Sequence, residues 1–327
     1  MSAPTSPRQQ PLGSPFGAGS TASEVLAGHD LTGRTVLVTG GYAGIGTAIT
    51  RALTDAGARV LAPARRPEVA RDALAGCDGV EIGTLDLADQ GSVAGYVAGL
   101  VADGVRLDAV INNAGIMALP ETRTPQGWEM QLATNHLGHF ALTVGMWSLL
   151  ADGARVVSVS SAGHYYSPIR WDDPWFEDGY DKWLAYGQSK TANALFAVEA
   201  DRRGRGRGIR AFSVHPGAIL TTLGRHLTAD DVAALLEPDE HGNVAIPEFK
   251  SPEQGAATAV WAAVSPLLAD RGGEYLVDCD VAPLAAVDEA GGSDSSGVKP
   301  YAVDRTEAAR LWEWSEQVTG VTTAGAG

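Results

Sequence analysis

Tyr186 and Lys190 stand four residues apart in Tyr186-Gly187-Gln188-Ser189-Lys190, at the start of a helix-like run, so a phenol and an ammonium share one helix face. An ammonium beside a phenol favours the phenolate and lowers a pKa that is ~10 in isolation, which makes the tyrosine a usable acid/base near neutral pH. Upstream, Val157-Ser158-Val159-Ser160-Ser161 reads as a strand that delivers hydroxyls at its carboxyl end, where an open α/β sheet places its ligands. Adjacent strand residues point to opposite faces, so only one of Ser160 and Ser161 can meet a substrate.

A second group of residues has the makings of an anion cradle. Thr39-Gly40-Gly41-Tyr42-Ala43-Gly44-Ile45-Gly46 follows an apolar run and leads into a helical stretch near Thr47. Glycines there allow a tight turn and close approach to a pyrophosphate, and the helix N-terminus supplies free N–H donors. The spacing is G-x-x-x-G-x-G, without the Gly-Lys-Ser/Thr of a nucleotide-hydrolysing loop. Where a ribose-binding carboxylate would stand, about 20 residues past the glycines, the chain has Arg65 and Arg66. Cations accommodate a 2′-phosphate, so the pair favours NADP(H) over NAD(H), the bland alternative being two solvated arginines at a helix start. Asp86, with Leu87 beside it, is placed to contact adenine; an Asp capping the next helix is the other reading.

Elements that must position these groups follow from the apolar pattern. Runs at Thr35–Thr39, Arg59–Ala62, Val80–Ile82, Ala109–Ile111, Arg155–Val159 and Ile209–Val214 alternate with helix-length stretches, and a last strand is expected at Glu274–Asp278 after the Ala-rich stretch Pro252–Ala263. Strands apolar almost throughout belong in a parallel sheet covered on both faces. The fold class is therefore α/β, a doubly wound Rossmann-type sheet of about seven strands, mostly parallel. Asp304 and Glu307 form a capping-box pair before a helix with Ala308, Leu311, Trp312, Ser315 and Val318 on one face.

The chain has 327 residues, 45% hydrophobic and 19% charged, with a formal net charge of −15, so it can bury a core while its surface repels phosphate backbones and anionic lipid. Nucleic-acid binding is not expected. Cys77 and Cys279 are too few for a disulfide framework and lack zinc-site spacing. No run reaches the ~20 apolar residues of a membrane span, and a cytoplasmic location is the default. Residues 1–29, dense in Ser, Pro, Gly and Ala, read as a flexible tail, 30–320 as one domain with a lid at about 219–250 and a closing helix at about 305–319, and 321–327 as a second tail. His136 and His139 lie three apart without a matching acidic or thiol set, so no metal is expected and both are read as helix or interface residues.

Taken jointly, the order Thr39-Gly40-x-x-x-Gly44-Ile45-Gly46, Asn112-Asn113-Ala114-Gly115, Asn135, Ser161, Tyr186 with Lys190, and Pro216-Gly217 resembles the short-chain dehydrogenase/reductases over roughly residues 30 to 320. The interval from Ser161 to Tyr186, Val277-Asp278-Cys279 and Leu311-Trp312-Glu313 are similar to the branch of retinol dehydrogenases and WW-domain oxidoreductases, related to protochlorophyllide reductases. The resemblance implies Tyr186 as proton donor or acceptor for the substrate oxygen, Ser161 as its hydrogen-bond partner, Lys190 on the nicotinamide ribose, and Asn135 holding a water that links Lys190 to solvent. Asn113, Ala114 and Gly115 would line the cofactor pocket and Pro216-Gly217 face the nicotinamide. It also implies a homodimer or homotetramer. The same scaffold accommodates reduction of a C=C bond, or cofactor binding without turnover. Seven aromatics, Tyr165, Tyr166, Trp171, Trp175, Phe176, Tyr180 and Trp183, lie between Ser161 and Tyr186. They suggest a wall for a bulky apolar carbonyl or alcohol, or anchors for a surface loop.

Overall fold

A computed structural model describes residues 9–229, 231, 249–291 and 295–323. Its centre is an eight-stranded sheet: β1 (Thr35–Val38), β2 (Arg59–Leu61), β3 (Val80–Glu81), β4 (Leu107–Asn112), β5 (Leu150–Val159), β6 (Arg210–His215), β7 (Tyr275–Val277) and β8 (Asp280–Val281), in the order β3-β2-β1-β4-β5-β6-β7-β8. The first seven run parallel, with Val36 beside both Val60 and Ala109, and Val157 beside Phe212. β8 turns back antiparallel on β7, one strand more than the apolar runs suggested. Strand order reverses between β1 and β4, the switch point at which open α/β sheets bind their ligands.

The all-apolar strand sequences are explained by burial on both faces. Val36 and Val38 join Ile49 and Trp261 in one core, while Leu37 joins Phe140, Phe196 and Trp312 in the other. Each fully buried side chain of this size contributes roughly 1.5–3 kcal/mol. The first layer is made by α1 (Ala22–Leu26), α2 (Ile45–Asp55) and α7 (Pro252–Val264). The second includes α4 (Gln90–Ala102), α5 (Gly138–Gly145), α6 (Lys182–Gly204) and α8 (Arg305–Thr319), while α3 (Pro67–Ala73) follows β2. Before α5 the chain passes through a π-turn at Ala133–Leu137, where the Gly138 N–H reaches back five residues to Ala133 O.

Two expectations need correction. Residues 9–29 are not a loose tail: Ala22, Val25 and Leu26 are buried in the first core, Leu12 and Phe16 pack on it, and Thr21 with Glu24 closes a capping box on α1. The Asp280 carboxylate accepts the N–H groups of Leu12, Gly13 and Ser14 at 2.7, 2.9 and 3.2 Å, which anchors the segment against the last hairpin. Residues 1–8 and 324–327 lie outside the described residues. At α8, Asp304 caps the helix through the N–H groups of Thr306 and Glu307, but the Glu307 carboxylate accepts from Trp171 Nε1 at 2.6 Å, so the bond that completes a capping box is not made.

Candidate active site

Asp181 accepts the N–H groups of Trp183 and Leu184 at 2.8 Å each and so starts α6 one turn before Tyr186. Nearly the whole of this 23-residue helix is buried, which fixes the side chains along it. Tyr186 and Lys190 lie on one face: the ammonium stands 5.6 Å from the centroid of the phenol ring and donates to Val159 O at 3.0 Å. Ser161, at the end of β5, caps a short turn by accepting Gly163 N–H at 3.0 Å and hydrogen-bonds Tyr186. Ser160 is turned inward, its hydroxyl donating to Lys190 O at 2.7 Å. Ser161 is thus the serine that meets the tyrosine.

The electrostatic balance differs from the expectation for an ammonium beside a phenol. Burial dominates Tyr186 and pushes its pKa up to about 12, against a downward pull from the Ser161 hydrogen bond, with Tyr166 adding a further upward push. Burial also pushes Lys190 down to about 8. Spacing along a helix shows that the two groups meet, but not how deeply they are buried.

Asn135 sits in the π-turn, fully buried. Its Oδ1 accepts Ile116 N–H at 2.9 Å, and its Nδ2 donates to Ile116 O and to Ser189 Oγ at 3.0 and 2.9 Å. Ser189 Oγ in turn donates to Tyr186 O at 2.7 Å. Gly115 lies in the same corner: a Cβ there would be 3.4 Å from Asn135 Oδ1 and 3.6 Å from Lys190 Nζ.

The glycine loop opens α2 between β1 and β4. Gly40 and Gly44 have φ of +63° and +54°, a region L side chains rarely enter, and a Cβ on Gly46 would fall 2.1 Å from Gly40 O. Asn113 Nδ2 donates to Thr39 O at 2.9 Å, and the N–H groups of Asn113 and Ala114 both go to Thr39 Oγ1. Tyr42 and Ile45, partly exposed, and Ala43, exposed, complete the loop, and Gly44 starts α2 without a side-chain cap, which leaves donors for an anion. Asn113 Oδ1 is buried with no hydrogen-bond partner among the described residues. An uncapped helix start, glycines with no room for a side chain and an unsatisfied carbonyl oxygen together fit a dinucleotide.

Arg65 and Arg66 are exposed at the carboxyl end of β2, before α3. Asp86 accepts Ala88 N–H at 3.0 Å, and the following helix is capped by Asp89 instead. Leu87 is buried in the second core and its carbonyl abuts Gly138. Pro216 and Gly217 follow β6, with Gly217 at φ +94° and the Lys250 side chain lying across it. Lys250 also pairs with Asp278. The stretch expected as a lid is bounded by a bridge between Ile219 and Lys250, and Asp231 within it is held by Lys182 at 2.6 Å; its residues 230 and 232–248 lie outside the described residues. Among the described residues no group of three or more His, Cys, Asp and Glu is arranged for a metal.

Most of the aromatic stretch faces away from the site. Trp171 and Trp175 pack on Trp314 of α8, Phe176 lies under Arg170, and the Tyr180 hydroxyl donates to Leu119 O. Tyr165 packs against His164 and Lys299. Of the seven, Tyr166 acts on Tyr186, and Trp183, one turn before Tyr186 on α6, packs on Tyr166 edge to face at 6.0 Å. For the others, the anchoring reading is the one their contacts match. Two residues escaped sequence reasoning: Thr221, whose side chain abuts Gly44, and His139, which bonds Thr39 Oγ1 at 2.8 Å. A hydroxyl four residues past Gly217 was the available signal for the first. A histidine one turn after Asn135 was the signal for the second.

Residues 34–232 match the family profile described as short chain dehydrogenase. A "Probable oxidoreductase" of Streptomyces lividans is 46% identical over 295 residues, covering 87% of this chain and 97% of that protein. Retinol dehydrogenase 14 of Mus musculus is 36% identical over 307 residues, 88% of this chain and 86% of the relative. The crystal structure of an uncharacterised protein from Mycobacterium paratuberculosis superposes with a TM-score of 0.71 at 34% identity, covering 93% of this chain and 99% of that one. Members of the family are oxidoreductases that bind a nicotinamide cofactor, and this chain belongs to it, as a short-chain dehydrogenase/reductase near the retinol-dehydrogenase branch.

Proposed function

We propose that the protein is an NADP(H)-dependent oxidoreductase that interconverts a carbonyl and an alcohol on a bulky apolar small molecule, with Tyr186 as general acid/base. The observation that carries this reading is the Ser161–Tyr186 hydrogen bond with the Lys190 ammonium 5.6 Å from the same ring. When bound, the nicotinamide supplies or accepts a hydride at the substrate carbon. The glycine loop from Thr39 to Gly46, Asn113, Ala114, Gly115, Pro216 and Gly217 would hold it, with Asp86 and the Leu87 backbone toward the adenine. Arg65 and Arg66, exposed at the ribose position, favour the 2′-phosphate.

Ser161 orients the substrate oxygen. Tyr186, held protonated at neutral pH by its burial, gives its proton to that oxygen during reduction. Lys190, lowered to about 8, would bind the nicotinamide ribose and be linked to solvent by a water at Asn135, and Asn135 also fixes the helix turn that carries Tyr186 and Lys190 through Ser189. The apolar substrate follows from Tyr166 and Trp183 beside Tyr186 and from exposed Leu220 and Phe249 at the two ends of the lid. A homodimer or homotetramer in the cytoplasm completes the reading, with the oligomer open to sedimentation analysis.

The decisive experiment follows NADPH absorbance across ketones, aldehydes and alcohols for wild type and Tyr186→Phe. Turnover is expected in the wild type and its loss in the variant, with NADPH binding retained. An active Tyr186→Phe enzyme would rule this mechanism out.

A further inference from the structure

His136 and His139 sit on the same turn of helix, both about 1% exposed, yet they face different structures. His136 Nε2 bonds Ser315 Oγ of α8 at 2.8 Å, a contact within the helical layer. His139 faces the sheet and bridges the two halves of the site, with Nε2 at 2.8 Å from Thr39 Oγ1 and Nδ1 at 2.9 Å from Asn135 O.

Counting donors and acceptors fixes the tautomer. Thr39 Oγ1 already accepts two N–H bonds, from Asn113 at 2.9 Å and Ala114 at 3.0 Å, which occupies both of its lone pairs. Its single proton is therefore what it offers to His139, and Nε2 is the acceptor. The ring proton then lies on Nδ1 and is donated to Asn135 O. Burial, the main influence, pushes the ring pKa down to about 4, a charge on Lys190 nearby adds to the shift and the bond to Asn135 opposes it, so the imidazole is neutral throughout the working range.

We propose that His139 is a positioning residue: as the Nδ1–H tautomer it locks the Asn135 turn to Thr39, so that the cofactor loop and the helix turn carrying Tyr186 are held as one unit. The connection is continuous. Asn113 and Ala114 donate to Thr39, Thr39 to His139, His139 to the Asn135 carbonyl, the Asn135 amide to Ser189, and Ser189 to Tyr186 O. Asn135 also clamps Ile116 by both its N–H and its carbonyl, so the loop after β4 is gripped at Asn113 by Thr39 and at Ile116 by Asn135. The His139 side chain spans the two grips. Its effect on turnover rests on the oxidoreductase reading above; its effect on cofactor affinity and its tautomer do not.

The test uses the full-length protein with NADPH as probe. His139→Phe, which removes both bonds while keeping an aromatic ring, is expected to lower kcat and NADPH affinity about tenfold each, the equivalent of one net hydrogen bond. His139→Asn places an amide N–H at the Nδ1 position and is expected to recover most of kcat. His139→Gln reaches the Nε2 position and is expected to recover NADPH affinity instead. A purely structural residue would lower the melting temperature in all three and leave kcat per folded site unchanged. Histidine ¹⁵N spectra of the wild type are expected to show His139 protonated at Nδ1 and bare at Nε2. An Nε2–H ring, or unchanged kcat and NADPH affinity in His139→Phe, overturns the proposal. If His139→Phe does not fold, the Asn and Gln variants and the wild-type spectrum decide. Absence of turnover in the wild type overturns the oxidoreductase reading alone, and NADPH affinity and the ring spectrum still judge His139.

Discussion

Gly163 lies against the ring of Tyr186 so closely that a Cβ on it would stand 2.6 Å from Tyr186 Cε1 and 2.8 Å from Cδ1. The same glycine gives its N–H to Ser161 Oγ, so one residue without a side chain sets both the seat of the phenol and the direction of the hydroxyl. Gly163→Ala is expected to displace the ring and reduce kcat by at least about tenfold, a misplacement effect, with NADPH affinity near wild type. Steady-state kinetics beside NADPH fluorescence titration reads this; a fully active alanine variant shows that the ring tolerates another seat.

Arg65 and Arg66 extend into solvent at the end of β2. Replacing both with glutamine is expected to raise the KM for NADPH by roughly 10–100-fold, the range for losing charge-assisted hydrogen bonds, and to leave that for NADH nearly constant. Parallel titrations with the two cofactors provide the comparison, and equal losses for both would remove the arginines from 2′-phosphate recognition.

Lys190 carries a stability cost. Its folded pKa of about 8 lies below the ordinary lysine value of 10.5, so between those pH values the unfolded chain binds more protons than the folded one, and stability rises with pH across that window. Below pH 8 the full cost applies, on the order of 3 kcal/mol. Lys190→Met leaves Val159 O bonded, since Asn193 Nδ2 also donates to it at 3.0 Å. The variant is expected to be inactive yet more stable than wild type at pH 7, with the gap closing as pH climbs from 8 to 10.5. Denaturant melts at pH 7, 9 and 10.5 test the sign. Ionisation of Tyr186 above pH 10 acts on both proteins and cancels in the difference.

Asp280 holds the backbone of residues 12–14 through three N–H bonds. Asp280→Ala is expected to cost about 1–3 kcal/mol and to open residues 9–29 to protease before the rest of the fold. Cleavage sites mapped by mass spectrometry would show this, whereas a segment as protected as in the wild type would leave its packing on α7 as the dominant restraint.

The aromatic stretch before Tyr186 divides into two functional groups. Trp171→Phe or Glu307→Ala removes the 2.6 Å bond to α8 and is expected to lower the melting temperature without altering KM. Tyr166→Ala or Trp183→Ala, next to Tyr186, is expected to raise KM for an apolar substrate. The reverse pattern would move the substrate wall to the α8 side.

Much of this architecture was legible because burial on both faces writes itself as uninterrupted apolar runs: Thr35–Val38, Arg59–Leu61 and Arg210–His215 all fall where such runs do. The glycine loop and the Tyr186–Lys190 pair were legible for a local reason, since turn geometry and helical spacing act over a few residues. What escaped depends on partners far along the chain. Residues 9–29 are rich enough in small and polar side chains to pass for a tail, because what holds them is far along the chain: Asp280, 268 positions after Leu12, and the core beneath α7 that covers Ala22, Val25 and Leu26. The π-turn at Asn135 has no local signature in Ala-Thr-Asn-His-Leu; its carbonyl is claimed by His139, whose other nitrogen meets Thr39, just past β1 and 100 residues earlier. The upward direction of the Tyr186 shift reflects a competition between burial and charge that helical spacing cannot weigh.

The Ile219–Lys250 bridge, with Lys250 N–H bonded to Ala218 O at 2.9 Å, makes the intervening stretch an excursion that leaves and rejoins the framework at one doorway. Because closing a longer loop costs only about 0.6 kcal/mol per doubling of length, the pairing at this doorway depends little on how many residues the chain spends between Ile219 and Lys250.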